Sequence, residues 1–124
     1  MKDDEPLVAV VDDEESIRRA LVRLLRAGHY RAEAFSCGGA FLASLADHVP
    51  SCVILDLQMP LMTGLDVQRQ LRDAGIELPV IIITAYDEPG TRERCLALGA
   101  SRYFCKPIDA RVLMAAVQGV VTCT

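Results

Sequence analysis

No apolar run in this 124-residue chain approaches the ~18 residues needed to cross a bilayer, so a membrane-spanning helix is excluded. The opening Met1-Lys2-Asp3-Asp4-Glu5 is acidic and the apolar run behind it is short, so no secretory leader is expected. Excess positive charge is missing as well. With 13 Lys and Arg against 17 Asp and Glu, a net charge of -4 and a pI near 5.1, the surface cannot supply the cation cluster that counterion release on nucleic acid requires. Arg18, Arg19, Arg23, Arg26 and Arg31 are expected to form a solvated helix face. The five cysteines, Cys37, Cys52, Cys95, Cys105 and Cys123, are odd in number and contain no C-x-x-C pair, which points to reduced thiols in a cytoplasmic protein. They read as small core fillers, and Lys106 beside Cys105 is expected to lower that thiol's pKa somewhat. Repeats, low-complexity tracts and long linkers are lacking, so residues 1–124 should form one domain without an effector or DNA-binding unit.

What is present is a regular alternation of strand and helix. Residues 7–11 are a short β-branched run of the kind buried on both faces of a parallel sheet. Residues 14–27 then follow a helical period, with Ile17, Ala20, Leu21, Leu24 and Leu25 on one stripe and Gly28 at the C-terminal cap. Polar residues interleave a second strand at 30–35, which marks a sheet edge, and a short helix over 40–46 follows the flexible Cys37-Gly38-Gly39. Further strands are predicted at 52–55, 79–83 and 101–105. Between them lie helices at 64–74 and 89–98, the latter with Pro89 at its first position and a first turn weakened by Gly90. Asp109 caps a last helix whose inward positions are Val112, Leu113, Ala116, Val117 and Val120. Five βα units in series predict an α/β doubly wound parallel sheet with helices on both faces. In such a sheet ligands bind beyond the carboxyl ends of the strands, where the strand order reverses.

Polar residues gather at those ends. Asp12 and Asp13 follow the first strand, Asp56 the third, Thr84 the fourth and Lys106 the fifth. With the edge strand second in sequence, an order of 2-1-3-4-5 would bring these four ends together. Carboxylates beside buried backbone are costly unless a cation meets them, so the cluster implies a bound metal or raised pKa values. Three hard oxygen donors suit Mg²⁺. A hydroxyl and an ammonium beside them suit a phosphoryl group, whose transfer needs cations around its oxygens and an oxygen nucleophile held in line. An Asp can serve as that nucleophile by forming an acyl phosphate, but residue chemistry alone leaves open which of the three does so.

These segments resemble the receiver domain of two-component response regulators over residues 8–121. The resemblance rests on Val10-Val11-Asp12-Asp13-Glu14-Glu15, on Asp56-Leu57-Gln58-Met59-Pro60 with Gly64 beyond it, on Ile83-Thr84-Ala85, and on the run from Gly99 to Pro107. Arg18, Leu21 and Phe35-Ser36 are most similar to the FixJ/NarL-type subgroup, whose receivers precede a helix-turn-helix DNA-binding domain. The resemblance implies a flavodoxin-like five-stranded sheet and a phosphoacceptor signalling domain in place of a separate enzyme, with self-catalysed phosphotransfer and autodephosphorylation. It further implies that Asp56 accepts the phosphoryl group from a sensor histidine kinase. Asp13, Asp56 and the Gln58 carbonyl would bind Mg²⁺, with Asp12 acting through water. Thr84 and Lys106 would contact the phosphoryl group, Tyr103 would turn inward as a switch with Thr84, and the Lys106-Pro107 bond would be cis. Kinase docking would fall on Ile17, Ala20, Pro107 and Ile108. Signal output would use the face of the fourth helix, fifth strand and fifth helix, including Arg92, Arg94 and Arg111, by homodimerisation or by regulating transcription through a joined domain. A stand-alone receiver acting by protein contact is the alternative.

Other chemistries on similar residues fit less well. A phosphatase of the haloacid dehalogenase type needs a second Asp two residues after its nucleophile, where this chain has Gln58. A flavin or nucleotide carrier needs a phosphate-binding turn after the first strand, and Asp12-Asp13-Glu14-Glu15 would repel phosphate there. Tyr86, two residues past Thr84, is expected to hinder the water that attacks an acyl phosphate and so to lengthen its life.

Overall fold

The computed structural model describes residues 5–122, and Cys123 lies outside them. Strands β1 (Leu7–Val11), β2 (Arg31–Phe35), β3 (Cys52–Asp56), β4 (Val80–Thr84) and β5 (Arg102–Cys105) alternate with helices α1 (Glu15–Ala27), α2 (Gly38–Ser44), α3 (Gly64–Asp73), α4 (Thr91–Ala97) and α5 (Ala110–Thr122). The strands form one five-stranded parallel sheet in the order β2-β1-β3-β4-β5. This is the flavodoxin-like arrangement that the alternation and the polar edge strand predict.

Period-two alternation divides each central strand between two cores. Val8, Val10, Cys52, Ile54, Ile81 and Ile83 pack with Leu21 and Leu25 of α1 and with Leu113, Ala116, Val117 and Val120 of α5. Ala9, Val11, Val53, Leu55, Val80, Ile82 and Tyr103 face the opposite side, toward Phe41 of α2, Val67 and Leu71 of α3, and Cys95 of α4. β3 and β4 are buried at every position, which explains why their sequences are continuous apolar runs without alternation.

Several local expectations are corrected. Val112 is 48% exposed, so the inward face of α5 begins at Leu113. Ala20 is also exposed and lies off the core stripe of α1. Gly28 caps α1 as expected, but with φ -89; the left-handed residue is His29, at φ 69. Gly28 packs closely instead, since a Cβ there would lie 2.6 Å from Met114 Cε, the end of a flexible side chain that would have to shift. Gly38 is likewise a packing glycine more than a flexible one. It is buried in the first turn of α2, where a Cβ would lie 2.6 Å from Val67 Cγ2 and 2.9 Å from Met62 Sδ. Pro89 does not begin α4. Gly90 stands as the N-cap at φ 82, a left-handed conformation open to glycine, and the helix starts at Thr91. Among the cysteines, Cys52 and Cys95 are buried core residues, whereas Cys37 and Cys105 are exposed.

Candidate functional site

Register explains why the acidic residues meet. Val10 pairs with Ile54 across β1 and β3, so the carboxylates two residues further along each chain, Asp12 and Asp56, emerge side by side. Asp56 in turn pairs with Ile83 of β4, one residue before Thr84, and Thr84 pairs with Cys105, one residue before Lys106. The backbone ties these ends together: Leu57 N–H donates to Ile83 O at 3.0 Å, and Lys106 N–H to Thr84 O at 2.7 Å. The peptide bond from Lys106 to Pro107 is cis.

Carboxylate oxygens of Asp12, Asp13 and Asp56 all lie within 4.8 Å of one another. Asp12 is fully buried, Asp56 is 2% exposed, and Asp13 opens to solvent. Lys106 reaches across the sheet end, with Nζ 2.9 Å from Asp12 Oδ2, 3.5 Å from Asp56 Oδ1 and 4.0 Å from Glu14 Oε1. Burial alone would lower the pKa of this ammonium, but its hydrogen bond to Asp12 and the charges of Asp56, Asp12 and Glu14 outweigh that and raise it. Asp56 remains under-neutralised. Its burial and the Asp12 charge push its pKa up to about 6, against the opposing Lys106 charge and a 3.4 Å hydrogen bond from Gln58 N–H. Three carboxylates facing one ammonium leave room for a further cation, and a set of hard oxygens with one solvent-facing member fits Mg²⁺ with part of its water shell.

The remaining site residues surround this centre. Thr84 is fully buried, and its hydroxyl is engaged with the chain two residues on, donating to Tyr86 O at 3.1 Å and accepting from Tyr86 N–H at 3.2 Å. Tyr103 is buried, with its hydroxyl 2.9 Å from Asp87 Oδ1 and Arg92 5.8 Å above its ring. Burial and the Asp87 carboxylate hold its pKa well above the usual tyrosine range. Ile17 and Ile108 are half-buried, and Ala20 and Pro107 are exposed. Cys105 departs from expectation: its desolvation and the Asp87 charge raise the thiol's pKa, outweighing the nearby Arg92 charge. Asp87, Glu14 and Arg18, whose Nη1 donates to Asp12 O at 2.8 Å, complete the surroundings without having been assigned site roles. Only the neighbouring Thr84 and Asp12-Asp13 could have signalled them.

An open doubly wound α/β domain with a carboxylate cluster, a lysine and a buried threonine at its switch point has the architecture of a receiver domain. Residues 8–118 match the family described as the response regulator receiver domain, and the chain belongs to that family. It is 35% identical over 118 residues to the response regulator protein TmoT of Ectopseudomonas mendocina, covering 95% of this chain and 54% of the relative. The chain thus spans about half the length of the curated relatives it matches. Among solved structures, a response regulator receiver protein from Burkholderia phymatum is 43% identical with a TM-score of 0.84, covering 97% of this chain and 98% of that one. The Vibrio cholerae chemotaxis protein CheY4 is 27% identical with a TM-score of 0.86, covering 94% of this chain and 98% of that one.

Proposed function

We propose that this receiver domain accepts a phosphoryl group on Asp56 from a sensor histidine kinase in the cytoplasm, with Mg²⁺ bound by Asp13, Asp56 and the Gln58 carbonyl and held through water by Asp12. The observation that carries this reading is the position of Lys106, within 3.5 Å of both Asp12 and Asp56 at the mouth of a three-carboxylate cluster. A carboxylate oxygen of Asp56 attacks phosphorus, an O–P bond forms as the N–P bond of the donor phosphohistidine breaks, and the leaving imidazole takes up a proton. Mg²⁺, when bound, supplies positive charge opposite the phosphoryl oxygens. Lys106 exchanges part of its hold on Asp12 for the new anion. Thr84 must release Tyr86 to donate to a phosphoryl oxygen, and that movement would act on Tyr103, which already stands buried in the core.

Phosphorylation replaces the single negative charge of the Asp56 carboxylate with roughly 1.5 to 2 spread over the phosphoryl oxygens, and biases the β4–α4 segment toward the conformer that brings Thr84 and Lys106 nearest. The α4-β5-α5 face, with Arg92, Arg94 and Arg111, then passes the signal on by homodimerisation, and regulates transcription where a DNA-binding domain is joined. The FixJ/NarL-type affinity is supported by Arg18, Leu21 and Phe35-Ser36, and kinase docking on Ile17, Ala20, Pro107 and Ile108 by their position beside the site. Tyr86, 64% exposed beside the mouth, is positioned to hinder the hydrolytic water and slow autodephosphorylation. Incubation with acetyl phosphate and Mg²⁺ followed by intact mass tests the reading. A gain of one phosphoryl group that requires Mg²⁺ is expected, and a gain that persists without the metal would count against it.

A further inference from the structure

Leu61, in the loop between β3 and α3, is doubly costly. It is fully exposed, at 107% of its reference area, and it holds a left-handed backbone at φ 68. Met62 N–H donates to Pro60 O at 2.7 Å, two residues back, so Leu61 is the central residue of a γ-turn with positive φ, a rare and strained form. Glycine, asparagine or aspartate would adopt this conformation at less cost, whereas a leucine pays the Cβ clash and leaves its whole side chain in water. The turn itself has a packing cause: Met59 is buried on one side of it, and Met62 packs against the core on the other, beside Gly38. That anchoring explains why the chain turns outward at 61, but not why an apolar side chain stands there.

The position supplies the reason. Leu61 lies five residues past Asp56, on the loop that leaves the carboxyl end of β3. Tyr86, 64% exposed, stands on the loop leaving the adjacent β4, and the exposed Pro107 on the loop leaving β5. These three side chains stand on the loops that leave neighbouring strands at the end of the sheet where any phosphodonor must approach. Strain kept at such a place is ordinarily retained for a function. We propose that Leu61 is a specificity-determining contact that seats against an apolar side chain next to the phosphohistidine of the protein donor. This inference rests on the phosphoacceptor reading and names the part of the loop that recognises the donor protein rather than the phosphoryl group. A small phosphodonor makes no such contact.

The test compares Leu61→Asn and Leu61→Met with the wild-type chain using two donors, acetyl phosphate and the phosphorylated histidine kinase of the source organism that transfers fastest to the wild type in a panel. Leu61→Asn should keep the acetyl phosphate rate and raise Tm by about 2–4 °C through relief of the turn. Its transfer from the kinase should fall by about tenfold or more, the usual worth of one apolar contact, while Leu61→Met restores it. Kinase transfer to Leu61→Asn at the wild-type rate would overturn the inference. So would an equal loss with both donors, which would place the role of Leu61 in holding Asp56, or the finding that no kinase in the panel transfers to a wild type that accepts from acetyl phosphate. A wild-type chain that accepts from neither donor would instead sink the phosphoacceptor reading itself.

Discussion

At the scale of single residues, the cost of Asp56 in the metal-free protein is the most distinctive quantity. Its folded pKa of about 6 stands above the ordinary 3.8, so between these values the folded state binds more protons than the unfolded one. Stability therefore falls as pH rises from 3.8 through about 6, and the full cost is present above that window. The shift corresponds to a cost on the order of 3 kcal/mol at neutral pH, an upper figure for a group with water at its mouth. Asp56→Asn should consequently raise the Tm of the metal-free protein at pH 7 by several degrees, and the gain should vanish below pH 4. Thermal melts across that range in a chelating buffer check this, and a gain independent of pH would argue against carboxylate repulsion as its cause. The cluster was legible in the sequence because carboxylates directly after apolar strands have few innocuous explanations. The partners of Tyr103 were not, because the Asp87 contact depends on where a loop folds back, and no periodicity encodes that.

At the scale of elements, glycines separate close approach from mere freedom. Gly38 and Gly39 are adjacent in the first turn of α2, yet a Cβ at 38 would meet Val67 and Met62 while one at 39 would meet nothing within 4 Å. Gly38→Ala should therefore destabilise by about 1–3 kcal/mol, as overpacking does, and loosen the loop that carries Leu61. Gly39→Ala should stabilise by about 0.5–1 kcal/mol through the unfolded chain. Urea midpoints for the pair read the difference, and equal midpoints would contradict the packing described. Gly64 is more constrained still, since a Cβ there would sit 2.8 Å from the Asp56 carbonyl and 3.0 Å from Leu57 Cα, backbone that cannot yield. Strand positions were legible because β3 and β4 are continuous apolar runs, and the edge position of β2 followed from Arg31 and Glu33. The start of α4 was not. Pro89 offered a helical signal that Gly90 overrode by taking the left-handed cap at φ 82, and local preference could not rank the two. Val112 was misassigned for a related reason: its apolarity fits the helical stripe, but it stands at the first turn of α5, where the packed face begins only at Leu113.

At the scale of the whole molecule, two cores on either face of one sheet hold the strand ends in register, and at the site polar groups from four chain segments converge. Binding a cation there should stabilise the fold as any ligand selective for the native state does, growing with the logarithm of its concentration over its dissociation constant. Mg²⁺ should raise the Tm of the wild type and do so much less in Asp56→Asn, where one ligand oxygen and the repulsion are both removed. Sedimentation with and without the phosphoryl group on Asp56 tests output through α4-β5-α5: a phosphorylation-dependent dimer abolished by charge reversal at Arg92 and Arg111 is expected, and a monomer in both states would favour signalling by contact with another protein. Among the described residues no helix is long and apolar enough to cross a membrane. Strand order could be anticipated because Arg31 and Glu33 give β2 an edge pattern despite its early place in the chain. Which of the three carboxylates would take a phosphoryl group could not be read from residue chemistry alone, and Asp56 was singled out only by the family resemblance.

That last ambiguity sets the decisive measurement. The protein is phosphorylated with acetyl phosphate and Mg²⁺, reduced with borohydride to convert any aspartyl phosphate to homoserine, and digested for peptide mass mapping. Homoserine at position 56, absent from a sample without phosphodonor, is the predicted result. Conversion at residue 12 or 13, or no conversion anywhere in a chain that remains folded, would contradict Asp56 as the phosphoryl acceptor.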